Sequence, residues 1–160
     1  MSNVNEIVFM MGLPAAGKST HRNQRDDLSG YVVIDPDEVK ASHADYDPKN
    51  PAALHLWSKA ITDDMFNAAL DDGFGRYVVD GTGTNGDKMV RRIRQANAAG
   101  FSTRVIFVRC TLATSLLRNA KRARNVPEDI VREKADTIAT AFEIVECMSG
   151  ADVIEIVDND

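Results

Sequence analysis

The segment from Gly12 to Thr20, "GLPAAGKST", constrains this chain more than any other part of its sequence. It follows the apolar run "EIVFMM" and precedes the polar run "HRNQRDDLSG", so we expect a strand before it and a helix after it. Gly12, Gly17, Lys18 and Ser19 match the phosphate-binding loop pattern. In such a loop the backbone N–H groups point at phosphate oxygens, and the following helix adds its positive N-terminal end. The sequence therefore predicts a nucleotide-binding turn.

The chemistry of this loop assigns roles to its side chains. Lys18 is expected to reach the β- and γ-phosphates, and the Ser19 hydroxyl is the predicted ligand of Mg²⁺. ATP and Mg²⁺ are thus the predicted cofactors. The residues predicted to bind the nucleotide are Gly12, Pro14, Ala15, Ala16, Gly17, Lys18, Ser19, Thr20 and Arg118.

Apolar runs alternate with helical patterns along the 160 residues. Strands are predicted at 6–11, 31–35, 76–80, 103–110 and 152–158, and helices at 17–28, about 51–71, 86–99, 111–124 and 127–148. Runs rich in Val and Ile without polar alternation are typical of parallel strands buried on both faces. We therefore predict one α/β domain over residues 1–160, a three-layer sandwich with a five-stranded parallel sheet of the P-loop NTPase or kinase type. In the second helix, Leu54, Trp57, Ile61 and Met65 recur at helical intervals and are predicted to be core.

The composition and the apolar runs indicate the cellular location of the protein. No run approaches the roughly 18 apolar residues of a membrane-spanning helix, and no basic region precedes the first apolar run. Cys110 and Cys147 lack metal-site spacing and are predicted to be buried thiols in a reducing compartment. A cytoplasmic protein without membrane association is expected.

The net charge of −5 conceals an asymmetry. Residues 86–125 contain ten basic residues and one acid, which gives +9 and leaves −14 for the rest. This segment is either a set of solvated helix faces or an anion-handling half, through which nucleic acid could bind. Its end, at about 115–127, is predicted to be a basic lid that stabilises a transferring phosphoryl group; a solvated helix end is the alternative. The basic residues predicted to lie on a solvated face are Lys88, Arg91, Arg92 and Arg94.

An acidic cluster, "IDPDE", follows the second predicted strand. Asp35 is expected to cap a helix that begins with Pro36, which leaves Asp37 available for chemistry. Open α/β sheets bind ligands at the carboxyl ends of their strands, where this cluster would lie beside the phosphate loop. A carboxylate there can accept the proton of a hydroxyl that attacks the γ-phosphorus.

The motifs "GLPAAGKST", "VVIDPDEVK", "ASHADYDP", "YVVDGTGTN" and "SLLRNAKRARNVPEDI", in this order, resemble the zeta-toxin-like kinases, which are P-loop phosphotransferases of the polynucleotide-kinase-like group. The resemblance runs from about Ile7 to Asp158. It implies that Asp37 is the catalytic base and that Arg122 and Arg124 contact the phosphates.

The same resemblance implies a set of substrate-side residues. These are Asp35, Asp37, Asp80 and Thr82, with a helical acid at Asp63 or Asp64. Thr84 stands where the family carries a basic residue, so the family's substrate, UDP-N-acetylglucosamine, does not transfer directly.

Three functions remain open from the sequence. The first is a kinase that phosphorylates a hydroxyl of a nucleotide-bearing small molecule, such as a nucleotide sugar. The second is a nucleic-acid kinase acting on a polynucleotide 5′-hydroxyl or a hydroxymethylated base, which the +9 segment favours and the lack of interleaved aromatic residues disfavours. The third is a nucleotide-binding switch without transfer, for which a base beside the γ-phosphate would have no use.

Overall fold

The computed structural model describes residues 5–50 and 52–160. Its strands are β1 (Glu6–Met11), β2 (Val32–Ile34), β3 (Arg76–Val79), β4 (Ser102–Arg109) and β5 (Val153–Asp158). They form one parallel sheet in the order β2-β3-β1-β4-β5. All five lie within two residues of their predicted bounds. Because β1 pairs with β3 on one side and β4 on the other, the phosphate loop that follows β1 starts at the centre of the carboxyl edge.

The helices alternate with these strands. They are α1 (Lys18–Gln24), α2 (Pro36–Ala41), α3 (His55–Asp72), α4 (Gly86–Ala98), α5 (Leu112–Lys121) and α6 (Glu128–Met148), with a short 3₁₀ turn at Asp26–Leu28. Among the residues described, no helix combines the length and apolar character needed to cross a membrane.

Three helix bounds differ from prediction. The helix predicted at 17–28 ends at Gln24, because Arg25 is extended before the 3₁₀ turn. The helix predicted from about 51 begins at His55, and Pro51 lies outside the described residues. The helix predicted at 111–124 ends at Lys121, because Arg122 is extended. Residues 122–127 consequently form a loop.

The core lies on both faces of the sheet. Ile7, Phe9 and Met11 of β1 pack into one cluster with buried side chains of α3, α4 and α6. Val8 and Met10 point the other way, into a cluster that includes residues beside α1. Since successive side chains of a strand face opposite ways, covering both faces requires a continuous apolar run. This confirms the predicted sandwich.

The fully buried residues of α3 are Ser58, Thr62, Phe66 and Ala69. Of the residues predicted as core, Met65 is partly buried and packs against the core cluster. Trp57 is 38% exposed and packs edge-on against the His43 ring, so its assignment to the core is wrong. The Ser58 hydroxyl donates to the His55 carbonyl at 3.0 Å, and the Thr62 hydroxyl donates to the Ser58 carbonyl at 3.0 Å, both within the helix. Such bonds satisfy the hydroxyl groups locally and allow a polar stripe to be buried.

The prediction of buried thiols is also wrong for Cys147, which is exposed on α6. Cys110 is partly buried after β4, and burial raises the pKa of its thiol. The apolar character of the run around Cys147 belongs to Phe142 and Val145, which face the sheet.

Candidate active site

A cavity of about 690 Å³ lies at the carboxyl ends of the strands. Most of the predicted site residues line it: Pro14, Ala15, Gly17, Lys18, Ser19, Thr20, Asp35, Asp37, Asp80, Thr82, Arg118, Arg122 and Arg124. Gly12, Ala16, Asp63 and Asp64 are not part of its wall. The phosphate loop, the acidic cluster and the basic loop therefore meet, although they are far apart in sequence.

The phosphate loop has the backbone that its glycines predict. Gly17 has a φ of 97° and caps α1 without any side-chain hydrogen bond, so the helix start presents backbone N–H groups. A Cβ atom on Gly12 would lie 2.6 Å from the Val108 carbonyl oxygen, which only glycine avoids. Lys18 Nζ donates to the Gly12 and Leu13 carbonyl oxygens at 2.9 and 3.1 Å, and burial lowers the pKa of its ammonium group.

Arg22, which the sequence did not single out, joins the loop helix to the acids at the sheet edge. It lies one turn after Lys18 with 7% of its side chain exposed. Its Nη1 donates to Asp80 Oδ2 at 2.7 Å and lies 3.6 Å from Asp35 Oδ2, and its Nη2 donates to Glu38 at 3.2 Å. The spacing of four residues from Lys18 is the one sequence signal that could have found it, since it places both side chains on one helix face.

The two buried carboxylates at this edge of the sheet, Asp35 and Asp80, both have raised pKa values. Burial raises the pKa of Asp35 to about 6, and the charges of Asp80 and Asp37 add to this effect. Burial likewise raises the pKa of Asp80, against the charges of Lys18 and Arg22. Asp35 Oδ1 accepts the Asp37 backbone N–H at 2.9 Å, which is the N-cap predicted for α2.

Asp37 differs from these two acids because it faces the cavity. Its side chain is 47% exposed and forms an ion pair with Nη1 of Arg124. Arg122 lies two residues before Arg124 in the same loop, and burial lowers the pKa of its guanidinium, with the Arg124 charge adding to the effect. Two guanidinium groups and one accessible carboxylate thus line the same cavity as Lys18.

The loop that carries these arginines is fastened at both ends. Asn119 of α5 donates to the Val126 carbonyl at 2.6 Å and accepts the Val126 N–H at 2.9 Å. Ser115 donates to the Pro14 carbonyl at 2.6 Å, so α5 rests directly on the phosphate loop. Arg118 approaches the Ala16 carbonyl at 3.5 Å. These bonds hold the predicted lid region over the cavity.

Asn159 lines the cavity, and the sequence did not indicate it. It follows β5, and its side-chain Nδ2 donates to the Ala16 carbonyl at 2.7 Å. Its backbone N–H donates to the Arg109 carbonyl at 2.8 Å. No local pattern marks this residue, because its position results from the pairing of β5 with β4.

The predicted substrate-side acids of α3, Asp63 and Asp64, lie outside the cavity wall. Asp63 forms ion pairs with Lys59 at 2.9 Å and Arg92 at 2.5 Å, and the exposed Asp64 follows it on α3. Their contact with a substrate stays a prediction.

The +9 segment is dispersed by the fold. Four of its basic residues pair with acids: Arg92 with Asp63, Arg104 with Glu6, Asp27 and Glu155, Arg109 with Asp158, and Arg124 with Asp37. Arg94 donates to the Met148 carbonyl. Four of the ten basic residues of this segment are therefore compensated by neighbouring acids.

The residues present fit a nucleotide-bound Mg²⁺. Within 5–50 and 52–160, no three His, Cys, Asp or Glu side chains are arranged to hold a metal ion by themselves. Mg²⁺ at a phosphate loop takes most of its ligands from phosphates and water, so a hydroxyl group is sufficient from the protein. Ser19 is exposed and lines the cavity.

Comparison with known proteins supports the fold. A family model described as an AAA domain matches residues 7–145. No curated protein matches the sequence. Among solved structures, the PezAT chromosomal toxin–antitoxin system of Streptococcus pneumoniae is similar with a TM-score of 0.74 and 18% identity, over 99% of this chain and 69% of that chain.

Two further structures are similar at lower coverage or TM-score. The AvrRxo1-ORF1:-ORF2 structure with ATP has a TM-score of 0.74 and 16% identity, over 89% of this chain and 50% of that chain. Deoxyadenosine kinase from M. mycoides with bound dATP has a TM-score of 0.53 and 17% identity, over 96% of this chain and 91% of that chain. The chain thus spans half the length of the AvrRxo1 structure's chain. These similarities confirm the fold expected from the resemblance to zeta-toxin-like P-loop kinases.

Proposed function

The chain belongs to the AAA domain family, and from this premise we propose that it is an ATP-dependent kinase that phosphorylates a hydroxyl group of a nucleotide-bearing small molecule. The observation that carries the proposal is the convergence of Lys18, Asp37, Arg122 and Arg124 on one cavity. A nucleotide-binding loop needs only the first of these residues. A phosphoryl transfer also needs a base and charge stabilisation.

The donor end of the cavity is the phosphate loop. Its backbone N–H groups would hold the phosphates of ATP, and Lys18 would exchange the Gly12 and Leu13 carbonyls for phosphate oxygens. Mg²⁺, held by Ser19, would neutralise charge on the phosphates. Arg122 and Arg124 would stabilise the charge that spreads over the transferring group.

The acceptor hydroxyl would be deprotonated by Asp37. Asp37 is accessible at 47% side-chain exposure, whereas Asp35 and Asp80 are exposed by only 8% and 4%. The hydroxyl proton passes to Asp37 as the new O–P bond forms, and the bond from the γ-phosphorus to the bridging oxygen breaks to release ADP. The proton then leaves Asp37 for solvent.

The dispersed positive charge of residues 86–125 favours a small acceptor over a nucleic acid. A polynucleotide would need several cations along its path, and three of the basic residues there, Arg92, Arg104 and Arg109, are paired with acids that do not line the cavity. A nucleotide-sized acceptor needs only the cavity.

The proposal is tested by incubating the protein with Mg²⁺, γ-labelled ATP and separate panels of nucleotide sugars, nucleosides, 5′-hydroxyl oligonucleotides and hydroxymethylated DNA. We expect label on a nucleotide sugar or a related nucleotide, lost in Asp37→Asn and kept in Asp71→Asn, a matched change at an exposed acid of α3. Label on oligonucleotides alone would support the nucleic-acid kinase. ATP binding without label on any acceptor would support the switch.

A further inference from the structure

Two carbonyl groups of the phosphate loop are held by side chains from distant parts of the chain. The Ser115 hydroxyl of α5 donates to the Pro14 carbonyl at 2.6 Å, and Ser115 is completely buried. The Asn159 side-chain amide, which follows β5, donates to the Ala16 carbonyl at 2.7 Å. Arg118 approaches the same carbonyl at 3.5 Å, which is long for a hydrogen bond. Ser115 and Asn159 therefore make the two strong contacts, and we call these two residues the loop clamp.

The clamp fixes the direction of two backbone N–H groups. In a planar trans peptide the C=O and the N–H point in opposite directions. The peptide bonds after Pro14 and Ala16 are both trans, so holding these carbonyls turns the N–H groups of Ala15 and Gly17 the opposite way. Ser115 lies outside the cavity wall, whereas Ala15 and Gly17 line the cavity. Backbone N–H groups of such a loop are the donors that bind phosphate oxygens.

The backbone between the two held carbonyls is strained. Ala15 has a φ of 61°, in the left-handed region that a residue with a Cβ atom rarely adopts. Such a conformation persists only when the surrounding contacts enforce it. Pro14 and Ala16 flank this residue, and their carbonyls are the ones that the clamp holds. The clamp thus acts on the part of the loop that most needs support.

The clamp is itself held in place by the fold. The Asn159 backbone N–H donates to the Arg109 carbonyl at 2.8 Å, which continues the pairing of β5 with β4. The Ser115 backbone N–H donates to the Thr111 carbonyl at 3.0 Å within α5. A Cβ atom on Gly17 would overlap the Asn159 Nδ2 atom, so Asn159 packs directly on the turn. The two donors are therefore fixed before any ligand arrives.

We propose that Ser115 and Asn159 are positioning residues that pre-organise the phosphate loop for the phosphate donor. They act through the Pro14 and Ala16 carbonyls and not by contact with the reacting atoms. Without them the two peptide planes can rotate, and only the fraction of protein with correctly turned N–H groups binds the donor. The apparent affinity falls in proportion to that fraction. This inference rests on the proposed function for the identity of the donor, ATP, but it does not depend on the acceptor.

The experiment measures binding by calorimetry, so that it does not depend on turnover. The two ligands, each with Mg²⁺, are the β,γ-imido analogue of ATP and inorganic tripolyphosphate. Ser115→Ala and Asn159→Ala should each weaken both ligands by about 2- to 10-fold, the usual net worth of one hydrogen bond. The double variant should be weaker than either single variant. Because tripolyphosphate has no base or ribose, an equal effect on both ligands assigns the loss to the loop.

Each clamp variant has a matched control elsewhere in the fold. Ser58 is also a completely buried serine whose hydroxyl donates to a backbone carbonyl, at 3.0 Å. Asn97 likewise donates its side-chain Nδ2 to a backbone carbonyl at 3.0 Å. Neither Ser58 nor Asn97 lines the cavity. Ser58→Ala and Asn97→Ala should leave both affinities unchanged, and thermal unfolding checks that every variant is folded.

Steady-state kinetics separates positioning from a general loss of structure. In the clamp variants the KM for ATP should rise by the same factor as the dissociation constant. At saturating ATP kcat should stay nearly unchanged, because the bound phosphates then hold the N–H groups in place. A general loss of structure would lower kcat as well.

Three results would overturn the inference. They are the parent affinity for both ligands in the double variant, an equal loss of affinity in the two control variants, or a loss for the ATP analogue without a loss for tripolyphosphate. The last result would make the clamp a contact of the nucleoside.

Failure of the proposed kinase gives a different pattern from failure of the clamp. If the kinase assignment is wrong, label reaches no acceptor while the clamp variants still bind both ligands more weakly than the parent protein. If the clamp is wrong, label reaches an acceptor with the same KM for ATP in every variant. Absence of binding of either ligand by the parent protein would refute the phosphate-loop assignment and the clamp together.

Discussion

Replacing Arg22 with methionine tests how much this guanidinium contributes to the free energy of unfolding by compensating the buried carboxylates of Asp35 and Asp80. The substitution keeps an apolar stem of similar reach but removes the guanidinium that contacts Asp80, Asp35 and Glu38. Asp80 and Asp35 are then left as buried carboxylates without that cation. Removing one partner of a buried ion pair costs about 3–5 kcal/mol, because the remaining charge is desolvated and unpaired.

The structure supports a value within that range. The side chains of Arg22 and Asp80 are exposed by 7% and 4%, so water cannot replace the lost bonds without a local rearrangement. Asp35 titrates at about 6 in the fold against its ordinary 3.8, which already corresponds to about 3 kcal/mol of cost above pH 6. Loss of Arg22 removes an opposing charge and raises this cost.

The sign of the pH dependence follows from the raised pKa of Asp35. A folded-state pKa above the unfolded value means that the native state binds more protons, so stability is lost as pH rises through about 6. In Arg22→Met this pKa moves higher. The difference in unfolding free energy between the variant and the parent protein should therefore be largest above pH 7 and shrink below pH 6.

The assay is urea unfolding at pH 5, 6, 7 and 8. Arg132→Gln is the control, since Arg132 forms an exposed pair with Glu128 at 3.2 Å that should be worth at most about 1 kcal/mol. Adding Asp80→Asn to Arg22→Met should recover part of the loss, because the second change removes a stranded charge. A loss below about 1 kcal/mol at pH 7, or a loss independent of pH, would refute this reasoning.

Three other predictions concern activity. Lys18→Ala should abolish transfer and weaken ATP binding, measured by calorimetry, because it removes a buried charge-assisted contact; full activity would contradict the phosphate-loop assignment. Asp37→Asn should lower kcat by about 10²–10⁴-fold with little change in ATP affinity, whereas a mild effect there with a crippling Asp35→Asn would move the base by two residues. Arg122→Ala should remove most turnover while Arg91→Glu leaves it nearly intact, and the acceptor KM should change little between about 50 and 200 mM salt; a steep salt dependence with a damaging Arg91→Glu would favour a nucleic-acid acceptor.

Much of the fold could be predicted because its signals are local. The loop at Gly12–Thr20, the apolar strands and the Asp35 cap each arise from neighbouring residues, and the structure reproduces them. Parallel strands that are buried on both faces can be recognised in the sequence, because their apolar runs are continuous. The location of the site at the carboxyl edge of the sheet could also be predicted, because the phosphate loop directly follows β1.

Local sequence patterns did not predict burial or ion pairing where the neighbours of a side chain belong to distant parts of the chain. Helical spacing suggested Trp57 as core, yet α3 buries the neighbouring stripe through Phe66, because only one side of this helix faces the sheet. The net charge of +9 over residues 86–125 did not indicate which of its cations would be paired with acids from other elements. Arg104, for example, meets Glu6 and Glu155, which β1 and β5 bring alongside β4.

The sequence by itself thus determined the fold class, the phosphate loop and the acid at Asp37 that faces it. Only the tertiary structure decided that Arg22 compensates the buried Asp80, that Asn159 reaches the phosphate loop, and that Lys40 and Lys134 line the same cavity. The physical reason is that a hydrophobic period is encoded within one element. The charged groups at the sheet edge, by contrast, acquire their partners only when parallel pairing places distant strand ends side by side.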